Sequence, residues 1–262
     1  MQITNYKWVN WKPVFNIHNE RVFSRMELFN EKISIKLGKK TCIGFFKDGK
    51  YSPCPEKKEV EHDRHCDSCK IKDDFFQCVK CRGECINPKR RPECEKNNYY
   101  VYLAAFDSLL KVGISYEYRL MERLVEQGAD FGASIAFVKD GKNVRNVEQK
   151  IKNYLGIEDK IAGKDKHKAL FGDPNAAAEN IMNAINKLKG NGFNLIRPEI
   201  YDLRKYYKLE NVLLDPEKID IREGTDVSGS IVAAKGNILI LKNNGFFSMN
   251  AHDMVGREIQ SI

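Results

Sequence analysis

The chain has 262 residues, with 42% hydrophobic and 10% aromatic residues and a formal net charge of +8. This composition excludes a disordered or low-complexity chain, and the length points to two or three domains with a sizeable core. No apolar run reaches membrane-spanning length and the first residues lack the apolar stretch of a signal peptide, so the expectation is a cytoplasmic protein without membrane contact.

Residues 1–41 form the first segment, a β-rich one, with short candidate strands clearest at 6–8, 13–17 and 32–37. In the last of these Ile33, Ile35 and Leu37 alternate onto one face. Trp8 and Trp11 are read as core or edge anchors rather than base-stacking platforms.

Residues 42–96 hold all eight cysteines: Cys42, Cys54, Cys66, Cys69, Cys78, Cys81, Cys85 and Cys94. A reducing compartment favours metal binding over disulfides, with a disulfide framework or an iron–sulfur cluster as the other uses. The pair of CxxC turns is the sharp signal, because each turn aims two sulfurs at one ion and four thiolates satisfy tetrahedral Zn²⁺. The simplest partition gives Cys66, Cys69, Cys78 and Cys81 to one structural zinc and Cys42, Cys54, Cys85 and Cys94 to a second. An interleaved pairing, or a ligand role for His62 or His65, stays open. Two such sites would bring the net charge to about +4, so local clusters matter more than the total. One such cluster, Lys89-Arg90-Arg91, is a candidate nucleic-acid backbone contact. Phe75 and Phe76 would pack on the zinc core or stack a base.

Residues 97–192 alternate strand and helix. Strands are expected at 99–104 and 109–114 as a hairpin, then a helix over 116–127 with Leu120, Met121, Leu124 and Val125 apolar and Gly128 at its C-cap. Arg119 and Arg123, four apart, share a helix face. A further strand at 133–138 precedes a helix over 144–155, where Val144, Val147, Ile151 and Leu155 bracket Glu148. A carboxylate in that stripe needs an arginine, a metal ion or a hydrogen-bond network to answer it. The lysine-rich stretch 156–171, which carries His167, has no clear period and reads as a loop over the site. Asp173 and Pro174 then open a helix through Lys189 with an apolar stripe of Ile181, Met182, Ile185 and Leu188.

Tyr100-Val101-Tyr102, then Lys111-Val112-Gly113, an arginine on the next helix and a glutamate on a later one resemble the GIY-YIG nuclease superfamily. Cysteine-rich sequence before this module and a glycine-bearing strand segment after it make the whole chain similar to an uncharacterised family of cysteine-rich proteins. The resemblance covers roughly a third of the chain. It implies that Tyr102 and Arg123, with Arg119 as the competing choice, work on the scissile phosphate, and that Glu148 holds Mg²⁺ or Mn²⁺. Tyr100 stands in place of the first motif's glycine, and Lys111 in place of the second motif's tyrosine. Lys111 would contact phosphate, or act as a base if burial lowered its pKa.

Residues 193–262 are the last segment: a polar connection over 198–214, then strands at 227–233, 237–241 and 245–249 with turns at Lys235-Gly236 and Asn243-Asn244-Gly245. They are expected to pair with the strands of residues 1–41, and Lys235, Lys242 and Arg257 would extend a nucleic-acid surface.

The fold class expected is therefore α+β: a central GIY-YIG-like α/β module preceded by a Cys-rich zinc-binding region and flanked by small β-rich ends. The function expected is a zinc-stabilised nucleic-acid-processing protein, acting on DNA or RNA, with a metal-dependent phosphodiester-cleaving site. A non-catalytic module for structured RNA or a ribonucleoprotein surface is the alternative, and a protein-interaction scaffold the third. NTPase, dehydrogenase and zinc-protease readings have no residues behind them, since Walker, dinucleotide and HExxH motifs are missing.

Overall fold

The structure, a computed structural model, describes residues 1–19 and 22–261. The chain is mixed α+β with β-rich ends, and it divides into two compact units, Met1–Phe76 with Tyr207–Ile262, and Gln77–Tyr206.

The first unit opens with β1 (Gln2–Val9), β2 (Lys12–Asn19), β3 (Val22–Glu27) and β4 (Lys32–Lys40), then the small hairpin β5 (Phe45–Lys47) and β6 (Lys50–Ser52), and α1 (Asp67–Lys72). After α2 (Phe76–Lys80) the second unit continues with α3 (Arg91–Lys96), β7 (Asn98–Phe106), β8 (Leu109–Tyr116), α4 (Leu120–Gln127), β9 (Phe131–Lys139), α5 (Gly141–Leu155), α6 (Gly163–Lys168), α7 (Pro174–Gly190) and β10 (Glu199–Asp202). The chain then returns to the first unit as β11 (Glu217–Lys218), β12 (Asp226–Lys235), β13 (Ile238–Lys242), β14 (Phe246–Asn250), α8 (Ala251–Met254) and β15 (Arg257–Ser261).

In the first unit nine strands form one sheet in the order β11-β14-β13-β12-β4-β15-β1-β2-β3. β4 is the junction: β12 pairs antiparallel along one edge and β15 along the other. Alternation fixes which side is buried. Ile3, Tyr6 and Trp8 of β1 and Phe15 and Ile17 of β2 face the core, after a bulge at Thr4 and Asn5 restores the period. Trp8 is 1% exposed; its indole donates to the Gly236 carbonyl at 2.8 Å and meets the Tyr207 ring edge-on. Trp11 differs, lying 41% exposed in the β1–β2 turn at φ 65°. Lys235 is also not the surface cation expected: it ends β12 directly after the apolar run 231–234 and is 4% exposed.

In the second unit the sheet order is β10-β9-β7-β8, all antiparallel. α4 lies on one face of it, with Leu124 against Gly132, and α5 and α7 cover the other: Val144 and Ile151 of α5 and Ile181, Ala184, Ile185 and Leu188 of α7 pack with Val101, Leu103, Ala105, Val112 and Ile135. Met182, expected in this stripe, is 48% exposed, because one residue on from Ile181 turns a helix by about 100°. β10 lies inside the stretch expected as a polar connection. It pairs with β9 through its backbone while its four side chains stay largely open, so no apolar pattern marks it. Likewise α6 is a short helix where a loop was expected.

Trp8→Ala is expected to destabilise the chain by about 3–5 kcal/mol, since it removes a fully buried ring and one of the two donors, with the Tyr6 hydroxyl, to the Gly236 carbonyl. Urea unfolding followed by far-ultraviolet circular dichroism measures this.

Candidate functional site

Two side-chain groups stand out, one in each unit. In the first, Cys42, Cys54, Cys66 and Cys69 are all buried and their sulfurs lie within 4.8 Å of one another. The Cys54 and Cys66 sulfurs are 3.9 Å apart. Four thiolates about 2.3 Å from a tetrahedral Zn²⁺ are separated by about 3.8 Å, so the spacing fits a structural zinc. Local sequence builds the cradle. Gly44, at φ 87°, makes a turn that no side chain fits, because a Cβ there would sit 2.1 Å from the Ser52 carbonyl. That turn aims the Gly44 N–H at the Cys42 sulfur (3.4 Å), which also accepts from the Cys66 N–H (3.2 Å). Such N–H···S bonds spread thiolate charge in metal knuckles. Burial pushes the Cys42 and Cys69 thiols up. At Cys54 burial acts the same way, but the Lys58 and Glu56 N–H groups and neighbouring thiols outweigh it and the thiol lies below its ordinary value. A dication would bring all four to thiolate.

The grouping corrects the simplest partition, because the Cys66–Cys69 turn is completed by Cys42 and Cys54 and not by Cys78 and Cys81. Neighbouring CxxC turns share an ion only if the chain between them folds back. Here α1 continues away from Cys69, while Cys42 and Cys54 flank the β5–β6 hairpin that closes over it. Neither His62 nor His65 joins the four sulfurs; His62 is exposed and His65 lies beside the Phe76 ring. Phe45 and Val60 pack around the group.

The other cysteines belong to the second unit. Cys78 accepts from the Asn87 side-chain amide (3.4 Å), Cys81 donates to the Glu84 carbonyl (3.3 Å), and Cys94 lies near the Arg91 guanidinium and the Tyr99 hydroxyl. Burial, aided by the charges of Cys94 and Cys81, pushes the Cys78 thiol up, while Cys85 is exposed. Among the described residues these four do not make a close four-sulfur group like the first. The basic run beside them is partly committed. Arg91 meets both carboxylate oxygens of Asp140, the N-cap of α5, and also Glu95; Arg90 closes on Glu93; Lys89 is exposed.

The second group is built on the β7–β8 hairpin. Tyr102 pairs across it with Gly113 and Ala104 with Lys111, so the Tyr102 and Lys111 side chains stand on the same face. Gly113 is required there: a Cβ would lie 2.5 Å from the Tyr102 hydroxyl. α4 supplies Arg123, whose charge acts on Tyr102, and Gln127, whose side-chain carbonyl accepts from the Lys111 amine at 2.9 Å. Arg119 and Arg123 both reach Glu126, at 2.9 and 3.5 Å. Glu148, 2% exposed on α5, is answered by Arg145 at 3.1 Å, one turn back. Its charge acts on both Tyr102 and Lys111.

Sequence reasoning missed two members. Gln127 looked like the last residue of an amphipathic helix, and Lys166 lay in an aperiodic stretch. Lys166 on α6 donates to the Gln127 main-chain carbonyl at 2.7 Å, with its amine over the Phe106 ring. Its only signal was lysine enrichment. Burial, then the charges of Lys111 and Arg123, pull Lys166 down to about 7; burial, then Arg123, pull Lys111 down to about 8. Tyr102, fully buried, is pushed up by desolvation against the opposing pull of Arg123.

The arrangement separates two kinds of cation. Arg119, Arg123 and Arg145 are in internal ion pairs. Lys111 is 5% exposed, is held by a neutral amide, and has no carboxylate within ion-pair distance among the described residues. Its burial beside Lys166 and Arg123 is costly unless an anion answers it.

A family model described as "Protein of unknown function (DUF2797)" matches residues 30–259. No curated protein and no solved structure matches the chain.

Cys54→Ser is expected to lower the zinc content by one ion per chain and to lower the melting temperature, read by metal analysis and calorimetry. For Lys111 the folded pKa lies below the unfolded one. The folded state therefore holds fewer protons between about pH 8 and about pH 10, and stability rises with pH across that window. Lys111→Met, which keeps the apolar stem, is expected to flatten this rise, worth about 2–3 kcal/mol, in urea titrations from pH 7 to pH 10.

Proposed function

We propose that this chain, which belongs to the DUF2797 family, is a zinc-stabilised nucleic-acid-processing protein with a GIY-YIG-like, divalent-metal-dependent phosphodiester-cleaving site. The observation that carries this is the cation cluster around two buried side chains: Tyr102, on which the Arg123 charge acts, and a Lys111 amine with no carboxylate beside it. A phosphate is the anion that such a cluster would accept, because its oxygens can take bonds from several fixed donors at once.

In this reading Lys111, Lys166 and Arg123 hold the phosphate and stabilise the charge that grows on it when water attacks phosphorus and the ester oxygen leaves. Tyr102 orients the attacking or the departing oxygen. The Glu148 carboxylate has one oxygen held by Arg145, and the other suits Mg²⁺ or Mn²⁺, which accept a single carboxylate and complete their shell with water and phosphate oxygens. The ion would neutralise phosphate charge and lower the pKa of a bound water. Lys89 serves as an outlying contact to the nucleic-acid backbone.

One observation favours binding without cleavage as the second reading. Lys111 stands where the resemblance calls for the second tyrosine, and a lysine supplies charge to a phosphate without the tyrosine hydroxyl.

A cleavage assay on labelled duplex, branched DNA and structured RNA with Mn²⁺ separates the two. Wild-type protein is expected to give products and Glu148→Ala to reduce them by at least about 100-fold with its zinc content unchanged. Retained binding with no products from either protein establishes the second reading. Phosphate affinity is expected to weaken from pH 7 to pH 9 in both, since Lys166 and then Lys111 lose their charge over that range.

A further inference from the structure

The polar face of the first unit's sheet carries a feature that a nuclease-like site elsewhere in the chain does not explain. β3 is an edge strand with five of its six residues exposed. On the face opposite the core lie Phe23 and Arg25 of β3, His18 and Asn16 of β2, and Asn5 and Lys7 of β1, by the register of these strands. Phe23 stacks on His18 at 4.4 Å and meets Tyr51 of the β5–β6 hairpin edge-on at 4.9 Å. Tyr51 in turn meets Phe46 at 5.3 Å. The result is a continuous row of rings, His18, Phe23, Tyr51 and Phe46, in which Phe23 is 52% and Phe46 46% exposed.

Two phenylalanines held open side by side are costly unless something covers them. The charges around the row show what fits. Lys47 and Lys50 pair at the turn of the hairpin, one residue beyond Phe46 and Tyr51, and Arg25 and Lys7 lie along the sheet. Of the nearby carboxylates, Glu27 closes on Lys12 at 2.7 Å, Asp73 and Asp74 accept the backbone N–H groups of Phe46 and Asp48, and Asp48 itself lies in the turn between Lys47 and Lys50. Aromatic rings interleaved with cations and side-chain amides are the composition of a surface that stacks bases and follows a phosphate backbone. The four-sulfur group anchors one end of this row. Phe45 packs against the cysteines while Phe46, next along the strand, points outward, and the Tyr51 hydroxyl donates to the Ile43 carbonyl beside Cys42.

We propose that this face binds single-stranded nucleic acid, with bases stacking on Phe23 and Phe46 and phosphates meeting Arg25, Lys47 and Lys50. It goes beyond the Tyr102 site and rests on none of its residues.

The test is fluorescence anisotropy of the full-length chain with labelled oligothymidylate, oligouridylate and a duplex of equal length, without added Mg²⁺ or Mn²⁺. Under those conditions cleavage plays no part, so a failure here leaves the reading of the Tyr102 site as it stands. Wild-type protein is expected to prefer the single strands. Phe23→Ala with Phe46→Ala is expected to weaken binding at least about tenfold, Phe23→Trp with Phe46→Trp to retain it, and Arg25→Glu with Lys50→Glu to weaken it and flatten its salt dependence. The substituted side chains are on the surface, and circular dichroism checks that the fold is kept. Unchanged single-strand affinity in the double alanine variant overturns the proposal, as does equal or tighter binding of the duplex. Light scattering supplies the remaining arm: a wild-type dimer that Phe23→Ala converts to monomer, with oligonucleotide binding unaffected, would make β3 a contact between two copies and end the proposal.

Discussion

The first unit depends on the double pairing of β4, with β12 hydrogen-bonded along one edge and β15 along the other. Neither end of the chain can complete a core by itself. The strands β1 to β3 have one apolar face and an exposed edge, and β12 and β13 carry apolar stretches at 231–234 and 238–241 that must be covered. β4 joins them, and this fixes that residues 77–206 are an insertion within a discontinuous unit. Such an insertion is tolerated because a domain whose ends lie close together adds little loop-closure entropy to its host.

The same pairing accounts for where the four sulfurs sit. Cys42 follows β4 directly, and Thr41 beside it donates its N–H to the Gly256 carbonyl just before β15. The four-sulfur group is thus attached to the strand that joins the two halves of the sheet, and its hairpin is held by a turn that only glycine permits at position 44. A small hairpin of three-residue strands has too little apolar area to stay folded by burial alone, and four sulfurs around one ion would supply what its core cannot.

The second unit poses the opposite electrostatic problem. The four-cysteine group would gather negative thiolates around a cation, whereas the Tyr102 region gathers Lys111, Lys166 and Arg123 around neutral and phenolic groups. Glu126 and Glu148 each answer arginines, while the Lys111 amine donates to the Gln127 side-chain carbonyl and Lys166 to the Gln127 main-chain carbonyl. An amine in that position shifts toward its neutral form, which is the direction found for both lysines. Functional sites carry this kind of frustration because the ligand, and not the protein, completes the charge balance.

Much was legible in the sequence wherever a local period or a local turn decides. The strands at 99–104 and 109–114, the helix ending at Gly128, the helix around Glu148 and the helix opened by Asp173 and Pro174 all follow from spacing and caps, since these depend on residues within one or two turns. The demand that Glu148 find a partner was equally readable, because its place in an apolar stripe fixes the cost of leaving it alone. What the sequence could not determine is which distant residues meet. That Cys66 and Cys69 join Cys42 and Cys54, that Lys166 enters the Tyr102 region, that Lys235 turns inward and that Phe23 lies against Tyr51 are set by the pairing of strands and the closure of loops. Periodicity states which face of an element is apolar, but the partner of that face is chosen by the whole chain's packing, where contacts far apart in sequence compete and only the best-packed set survives.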